Sequence, residues 1–174
     1  MTDRVKETLF NILGARLDCP GSLPGVDVLD LFAGSGALGI EALSRGARSC
    51  LFVEHDWRAV QVLRSNVRQL GLAATCRLSS ANAWTVRLAP PPSGGYGLVF
   101  VDPPYRDADD SLRVLDLLNR LAPHVAPDGL VVFRHERRTE LPLAALTALQ
   151  CLDQRDIGTM RLWFLSPGTP TARP

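Results

Sequence analysis

Val26-Asp27-Val28-Leu29-Asp30-Leu31-Phe32, running on into Ala33-Gly34-Ser35-Gly36-Ala37-Leu38-Gly39, decides the fold. The first seven residues are apolar apart from two aspartates and read as a buried strand. The next seven read as a Gly-rich turn that opens a helix. Glycines at 34 and 36 carry no Cβ, so the backbone can turn tightly there and approach a ligand closely. The helix from Ala37 to Arg45 ends at Gly46, where a left-handed residue is favoured. Written as a pattern this is G-x-G-x-x-G, with Glu54 twenty residues after Gly34. That is the dinucleotide-binding spacing, so an NAD-dependent oxidoreductase is one reading of the chain.

Asp30 favours another cofactor. A pyrophosphate sits well on a helix N-terminus, but a carboxylate four residues before Gly34 adds repulsion nearby. S-adenosylmethionine has no phosphate and carries two cationic groups, a sulfonium and an amine, which an acidic strand end suits. Glu54 closes the next apolar run, Cys50-Leu51-Phe52-Val53, and can accept the ribose hydroxyls of either cofactor.

A second acidic strand end lies at Gly97-Leu98-Val99-Phe100-Val101, which stops at Asp102-Pro103-Pro104-Tyr105. Proline has no backbone N–H, so the turn offers carbonyl acceptors with few competing donors. The Asp102 carboxylate and the Pro103 carbonyl can each take one hydrogen of an exocyclic amine, while Tyr105 stacks on the ring that bears it. An ordinary strand followed by a Pro-rich turn uses the same residue types. The pairing of Asp102 with Asp30 points to a methyltransferase acting on a planar amine.

Outward from these two stretches, strands and helices alternate. A helix is expected over Asp3–Leu17, with Val5, Leu9, Ile12, Leu13 and Leu17 on one stripe and Thr2 or Asp3 as cap. After a Pro/Gly loop come strand 26–32, helix 37–45, strand 49–54, helix 57–70 and strand 75–79. A weak helix at 83–89 and the loop Pro90–Gly95 lead to strand 97–102, helix 110–121 and strand 129–134. A helix near 142–149 and a last strand at 159–165 complete the order. Such alternation implies right-handed crossovers and a mostly parallel sheet, with ligands at the carboxyl ends of its strands. Asp30, Glu54, Asn82 and Asp102 all fall at or just past those ends. Asn82 can bond the cofactor's adenine amine or cap the helix expected at 83–89.

Composition bounds the rest. The chain has 174 residues, 46% of them hydrophobic, and a formal net charge of +1. It is long enough to bury a core, is not disordered by composition, and is not a strongly basic nucleic-acid binder. Its apolar runs fall short of the ~20 residues that cross a bilayer, and residues 1–4 lack a signal-peptide pattern. Cys19, Cys50, Cys76 and Cys151 stand far apart and read as reduced thiols of a cytoplasmic protein, with neither a zinc site nor a disulfide frame. His55, His124 and His135 show no ligand spacing. Of the 19 cations, 18 are arginine. Arg134, Arg137 and Arg138 cluster after a strand end, with Arg155 and Arg161 near in sequence. They read either as a solvated face or as contacts to an RNA backbone.

Four stretches together carry a family resemblance: Thr2-Asp3-Arg4-Val5-Lys6-Glu7-Thr8-Leu9-Phe10-Asn11; Asp30 to Gly39; Glu41-Ala42-Leu43-Ser44-Arg45-Gly46-Ala47; and Asp102-Pro103-Pro104-Tyr105. They closely resemble the bacterial family that methylates N2 of a guanine in 16S ribosomal RNA, and the Gly158-to-Leu165 tail is similar to that family's last strand. The resemblance implies a Rossmann-like S-adenosylmethionine-dependent fold, with a mostly parallel seven-stranded sheet and helices on both faces. It implies one methyltransferase domain: an N-terminal helix in 1–20, a cofactor and catalytic core over 26–134, completion of the sheet over 135–167 and a flexible tail at 168–174. The match begins at Thr2, ahead of which the family carries an N-terminal β extension implicated in RNA contact; either the start is an internal one or the expected chain lacks that arm.

The sites implied are Asp102, Pro103, Pro104 and Tyr105 for catalysis. Asp30, Phe32, Ala33, Gly34, Ser35, Gly36, Glu54, His55, Asn82, Ala83 and Asp102 are implied for S-adenosyl-L-methionine. Arg4, Arg134, Arg137 and Arg138 are implied for RNA. The expected partner is 16S RNA or the 30S subunit, approached by a monomer with no metal and no membrane. A DNA adenine or cytosine amino-methyltransferase shares the Asp-Pro-Pro-Tyr chemistry. About 70 residues follow the motif here, and they read as sheet, leaving no room for a target-recognition domain. A catalytically impaired cofactor-binding protein is the remaining alternative.

Overall fold

Strand β1 (Asp27–Leu31) is buried at all five positions, as a strand covered on both faces must be. The computed structural model describes residues 3–17, 19–23, 25–91, 93–104, 109–139, 141–142 and 145–168. Contacts divide the chain into two units, Met1–Ala83 and Trp84–Pro174. The first unit holds helix α1 (Asp3–Arg16), β1, helix α2 (Ala37–Ser44), strand β2 (Ser49–Val53), helix α3 (Trp57–Gln69) and strand β3 (Cys76–Ser79). β2 runs parallel to β1, from Asp27↔Ser49 to Leu31↔Val53, and β3 runs parallel to β2. α3 starts where it does because Asp56 accepts the Ala59 N–H at 2.9 Å, a side-chain cap on a donor that the helix leaves unpaired.

The second unit holds strand β4 (Tyr96–Val101), helix α4 (Ser111–Leu121), a 3₁₀ turn at Ala122–His124, and strands β5 (Val125–Glu136), β6 (Leu149–Ile157) and β7 (Met160–Pro167). Asp110 caps α4 through the Arg113 N–H. The helix buries Val114, Leu115, Leu117, Leu118 and Leu121, the stripe that a 3.6-residue period places on one face. β5 pairs parallel with β4 and antiparallel with β7, and β6 pairs antiparallel with β7. The seven strands take the order β3-β2-β1-β4-β5-β7-β6 in one mostly parallel sheet. That is the architecture the sequence led us to expect.

One expected helix is replaced, and a second, which falls partly on residues 143–144 outside the described ones, is not found among the described residues. Residues 83–89 contain a short turn at 83–85 and no helix. Seven residues with β-branched Thr85 and Val86, stopped by prolines from 90, are too few to repay helix nucleation. Near 142–149, the described residues form no α-helix, and strand β6 begins at Leu149. β6 is an edge strand whose Gln150, Cys151, Leu152, Gln154, Arg155 and Asp156 are exposed. With solvent on so many positions it has no apolar alternation to read. It is fixed instead by its ladder to β7 and by a two-residue turn in which Gly158 takes φ +63°, a tight hairpin connection. No helix among the described residues is long and apolar enough to cross a membrane.

Candidate active site

In the first unit the end of β1 and the Gly-rich turn are tied together by carboxylates. Asp30 is 1% exposed, and its Oδ2 accepts the Gly39 N–H at 2.9 Å. The residue preceding α2, Gly36, supplies no side-chain cap, so Asp30 caps the helix from the strand. Its charge lies against the positive end of the α2 dipole. Glu54, 8% exposed at the end of β2, accepts three backbone N–H groups. These are Gly34 on Oε2 at 2.8 Å, and His55 and Asp56 on Oε1 at 2.7 and 2.8 Å. The turn is thereby clamped to β2, and Asn66 of α3 adds a bond to the Ser35 carbonyl at 3.0 Å.

The backbone itself is twisted here. Phe32 takes φ +63°, a region that bulky residues enter at a cost of about 1–3 kcal/mol and that collects at functional sites. Gly34 follows at φ +56°, and a Cβ added there would meet nothing within 4 Å. The turn is open at Gly34 and closed on its other side. At Gly36 a Cβ would run into Leu63 of α3, and at Gly39 into Phe52 and the Cys50 Sγ of β2. One glycine thus leaves room for a ligand, and two let α2 pack closely. Burial pushes the Cys50 thiol well up, and the Asp30 charge adds to it, so that sulfur is an inert packing atom.

Ala33 is buried, Ser35 and His55 are exposed, and the His55 Nδ1 lies 3.4 Å from Glu54. Asn82 is exposed just beyond β3 and Ala83 is buried. With no helix following it, Asn82 has no helix N-terminus to cap.

In the second unit β4 delivers Asp102. Its two oxygens are held by Arg134, Oδ1 by Nε at 2.7 Å and Oδ2 by a terminal nitrogen at 2.8 Å. The side chains are 18% and 11% exposed for Asp102 and Arg134 respectively. This is the fork geometry in which guanidinium meets carboxylate most strongly. The β4–β5 register pairs Val101 with Phe133, so Asp102 and Arg134 are the next residues on neighbouring strands. The fork takes one acceptor position on each oxygen and leaves the second on each, since an ionised carboxylate offers about four. Pro103 is buried and Pro104 exposed. Tyr105 lies outside the described residues, as does the side chain of Arg4.

Two of the four expected RNA-contacting arginines are engaged by carboxylates. Arg134 is committed to Asp102, and Arg138 pairs with Glu136 at 2.5 Å. Arg137 is exposed, and its backbone N–H bonds the Thr159 carbonyl. Reading from the sequence missed Arg134 as the partner of Asp102, although the strands expected at 97–102 and 129–134 end on these two residues. Among the described residues no cluster of His, Cys, Asp and Glu could hold a metal ion.

The family model described as conserved hypothetical protein 95 matches residues 1–166. The chain is 39% identical over 142 residues to the putative rRNA methyltransferase YlbH of Bacillus subtilis (strain 168), covering 81% of this chain and 73% of that one. It is 41% identical over 105 residues to ribosomal RNA small subunit methyltransferase D of Escherichia coli (strain K12), covering 60% of this chain and 48% of that one. The chain thus spans about half the length of the latter relative. A solved S-adenosylmethionine-dependent methyltransferase from Clostridium acetobutylicum ATCC 824 superposes with a TM-score of 0.76 at 14% identity, covering 97% of this chain and 93% of that one. That likeness is one of fold.

Proposed function

The chain belongs to the conserved hypothetical protein 95 family, of the small-subunit rRNA methyltransferase D type, and from that membership we propose that it methylates the exocyclic N2 amine of a guanine in 16S ribosomal RNA, in the cytoplasm and on the 30S particle. The cofactor of this fold and family is S-adenosyl-L-methionine, which supplies an electrophilic methyl on a cationic sulfur. The observation that carries the reading is the Asp102 carboxylate, fixed at the end of β4 by Arg134 directly before two prolines.

The first unit fits the cofactor and argues against a dinucleotide. In dinucleotide-binding folds the pyrophosphate occupies the helix N-terminus after the Gly-rich turn. Here Asp30 already takes the Gly39 N–H at that position, and a buried carboxylate repels a second anion while attracting a cation. Asp30, Phe32, Ala33, Gly34, Ser35, Gly36, Glu54 and His55 form the proposed cofactor wall. Gly34 provides the open approach, and Glu54, with three acceptor positions taken by backbone N–H groups, is pinned at the strand end with one left for a ribose hydroxyl. Asn82 and Ala83, beyond β3, complete it as the adenine end.

Asp102 and the Pro103 carbonyl take the two hydrogens of the guanine amine. Held between two acceptors, the nitrogen turns toward a tetrahedral shape, and its lone pair leaves conjugation with the ring. Positioning and a preorganised field supply the rate. The methylated amine is acidic enough to lose its proton to Asp102 or to water. Arg134 keeps the carboxylate plane fixed throughout. The guanine must leave its stack to reach the turn, and Tyr105 replaces part of the lost stacking.

The test is transfer of label from S-adenosylmethionine to undermodified 30S subunits, naked 16S RNA and duplex DNA, followed by digestion to nucleosides. Labelled N2-methylguanosine is expected, in greater yield from 30S subunits. Labelled methyladenine from DNA would overturn the assignment.

A further inference from the structure

α3 presents a face that the cofactor and amine chemistry leave unused. Trp57, Gln61, Arg64 and Arg68 recur at i, i+4, i+7 and i+11, one stripe of a 3.6-residue helix, and all four are exposed. The adjoining side carries the buried Val60 and Leu63. Trp57 is 67% exposed, a large aromatic area left in water, with the Arg58 guanidinium 5.6 Å from its ring centre. Beside the far end of the stripe lies a cavity of about 290 Å³ whose lining includes Phe52, Val67, Cys76 and Leu78 together with Arg64 and Arg68. Its floor is apolar and the charges on its lining are both positive.

Among the described residues the two arginines of this stripe meet no carboxylate. From Trp57 to Ala83 the chain has four arginines and no Asp or Glu. In the second unit, by contrast, Arg120, Arg134, Arg138, Arg155 and Arg161 each sit on a carboxylate. Guanidinium groups that stay unpaired beside an exposed indole and an apolar slot match one ligand chemistry, a strand with phosphates along its backbone and flat bases between them.

We propose that this face of α3 is a contact surface for single-stranded RNA of the substrate. Arg64 and Arg68 hold successive phosphates, Trp57 stacks one base, and the cavity beside the two arginines takes another. At about 290 Å³ the cavity lies at the lower limit of ligand pockets, roughly 300–1,000 Å³, a size for one base. The proposal rests on the reading of the chain as an RNA-modifying enzyme.

Strand alternation supplies an internal control. Cys76 and Leu78 line the cavity, so Arg77 between them projects to the other face of β3. It is also exposed, so Arg77→Gln removes the same charge without touching the proposed surface. Binding of a fluorescein-labelled single-stranded RNA oligonucleotide is measured across a salt series. Wild type, Arg64→Gln/Arg68→Gln, Arg77→Gln and Trp57→Ala are compared, each checked for an unchanged thermal shift with S-adenosylhomocysteine. Each phosphate contact on a single strand contributes about 0.7 to the slope of log affinity against log salt. The double variant therefore lowers the slope by about 1.4. Arg77→Gln leaves it unchanged, and Trp57→Ala weakens binding several-fold at unchanged slope. An abasic strand of the same length binds more weakly than the intact one.

A double variant that keeps the wild-type slope overturns the proposal, as does Arg77→Gln lowering it equally. Polyglutamate that competes as well as RNA would make the face a surface for acidic protein and would also overturn it. Label transfer by the wild type, run alongside, separates the two readings. If RNA is labelled while the double variant keeps its slope, the surface fails. If no RNA is labelled while the slope still drops, the surface stands and the methyl-transfer assignment fails.

Discussion

Asp102 answers to two groups at once, the amine it is proposed to accept and the guanidinium that fixes it. Asp102→Ala is expected to abolish turnover while leaving the cofactor's thermal shift in place. It also strands Arg134, 11% exposed, so part of the damage falls on stability. Asp102→Asn separates the effects, because it keeps the size and one acceptor but gives up the charge-assisted fork. Loss of one preorganised partner in an active site costs about 10²–10³ in rate. Single-turnover label transfer by Asp102→Asn is expected to slow by that order, with KM for the cofactor little changed. A variant at near wild-type rate would remove Asp102 from the mechanism. Arg134→Lys keeps the charge without the planar fork, and its kcat is expected to fall while cofactor binding holds.

Among the elements, α2 is the one whose position depends on absent side chains. A Cβ at Gly39 would strike Phe52 and the Cys50 Sγ of β2, and neither buried neighbour has room to yield. Overpacking of this kind costs about 1–3 kcal/mol, so Gly39→Ala is expected to lower the urea midpoint. Because Asp30 bonds the Gly39 N–H, any shift of α2 should weaken the cofactor's thermal shift as well. Between β5 and β7 a second device is buried. His135, 1% exposed, stacks on Phe133 with ring centres 5.0 Å apart, and its Nε2 accepts the Trp163 indole N–H at 2.6 Å. Burial holds its pKa below the ordinary 6.5, and Arg161 nearby acts in the same direction. The unfolded chain therefore binds the proton more readily than the folded one. The stability this histidine contributes is full above about pH 6.5 and drains away as the pH falls toward the depressed folded value. Urea unfolding near pH 7.5 and near pH 5 should show the loss in wild type and a flatter dependence in His135→Phe. The variant's overall midpoint is expected to be lower, since Trp163 loses its acceptor at about 1–3 kcal/mol.

For the whole molecule the expected ligand response is selective. S-adenosylhomocysteine and S-adenosylmethionine should raise Tm, as any ligand specific for the folded state does, and Glu54→Ala should reduce that shift. NAD should leave Tm where it is, because the buried Asp30 carboxylate takes the Gly39 N–H at the start of α2 and repels a pyrophosphate there. A shift with NAD and none with S-adenosylhomocysteine would reverse the cofactor assignment. The order of the elements, apart from the helices expected at 83–89 and near 142–149, and the acidic residues at the ends of β1, β2 and β4, were legible in the chain itself. Apolar runs, turn glycines and prolines act over a few residues, so their consequences can be read locally. β6 was not legible, since an exposed edge strand takes its state from hydrogen bonds to β7 and not from a pattern of its own. Nor could the sequence say which partner each charge would find. Asp30 meets Gly39, Glu54 meets Gly34, and Asp102 meets Arg134 thirty-two residues away. The arginines after β5 were singled out for RNA because they are neighbours along the chain. The tertiary structure gives Arg134 and Arg138 carboxylates and, among the described residues, leaves Arg64 and Arg68 of α3 without one. Electrostatic pairing follows distance in space, which close spacing in sequence does not fix until the chain has folded.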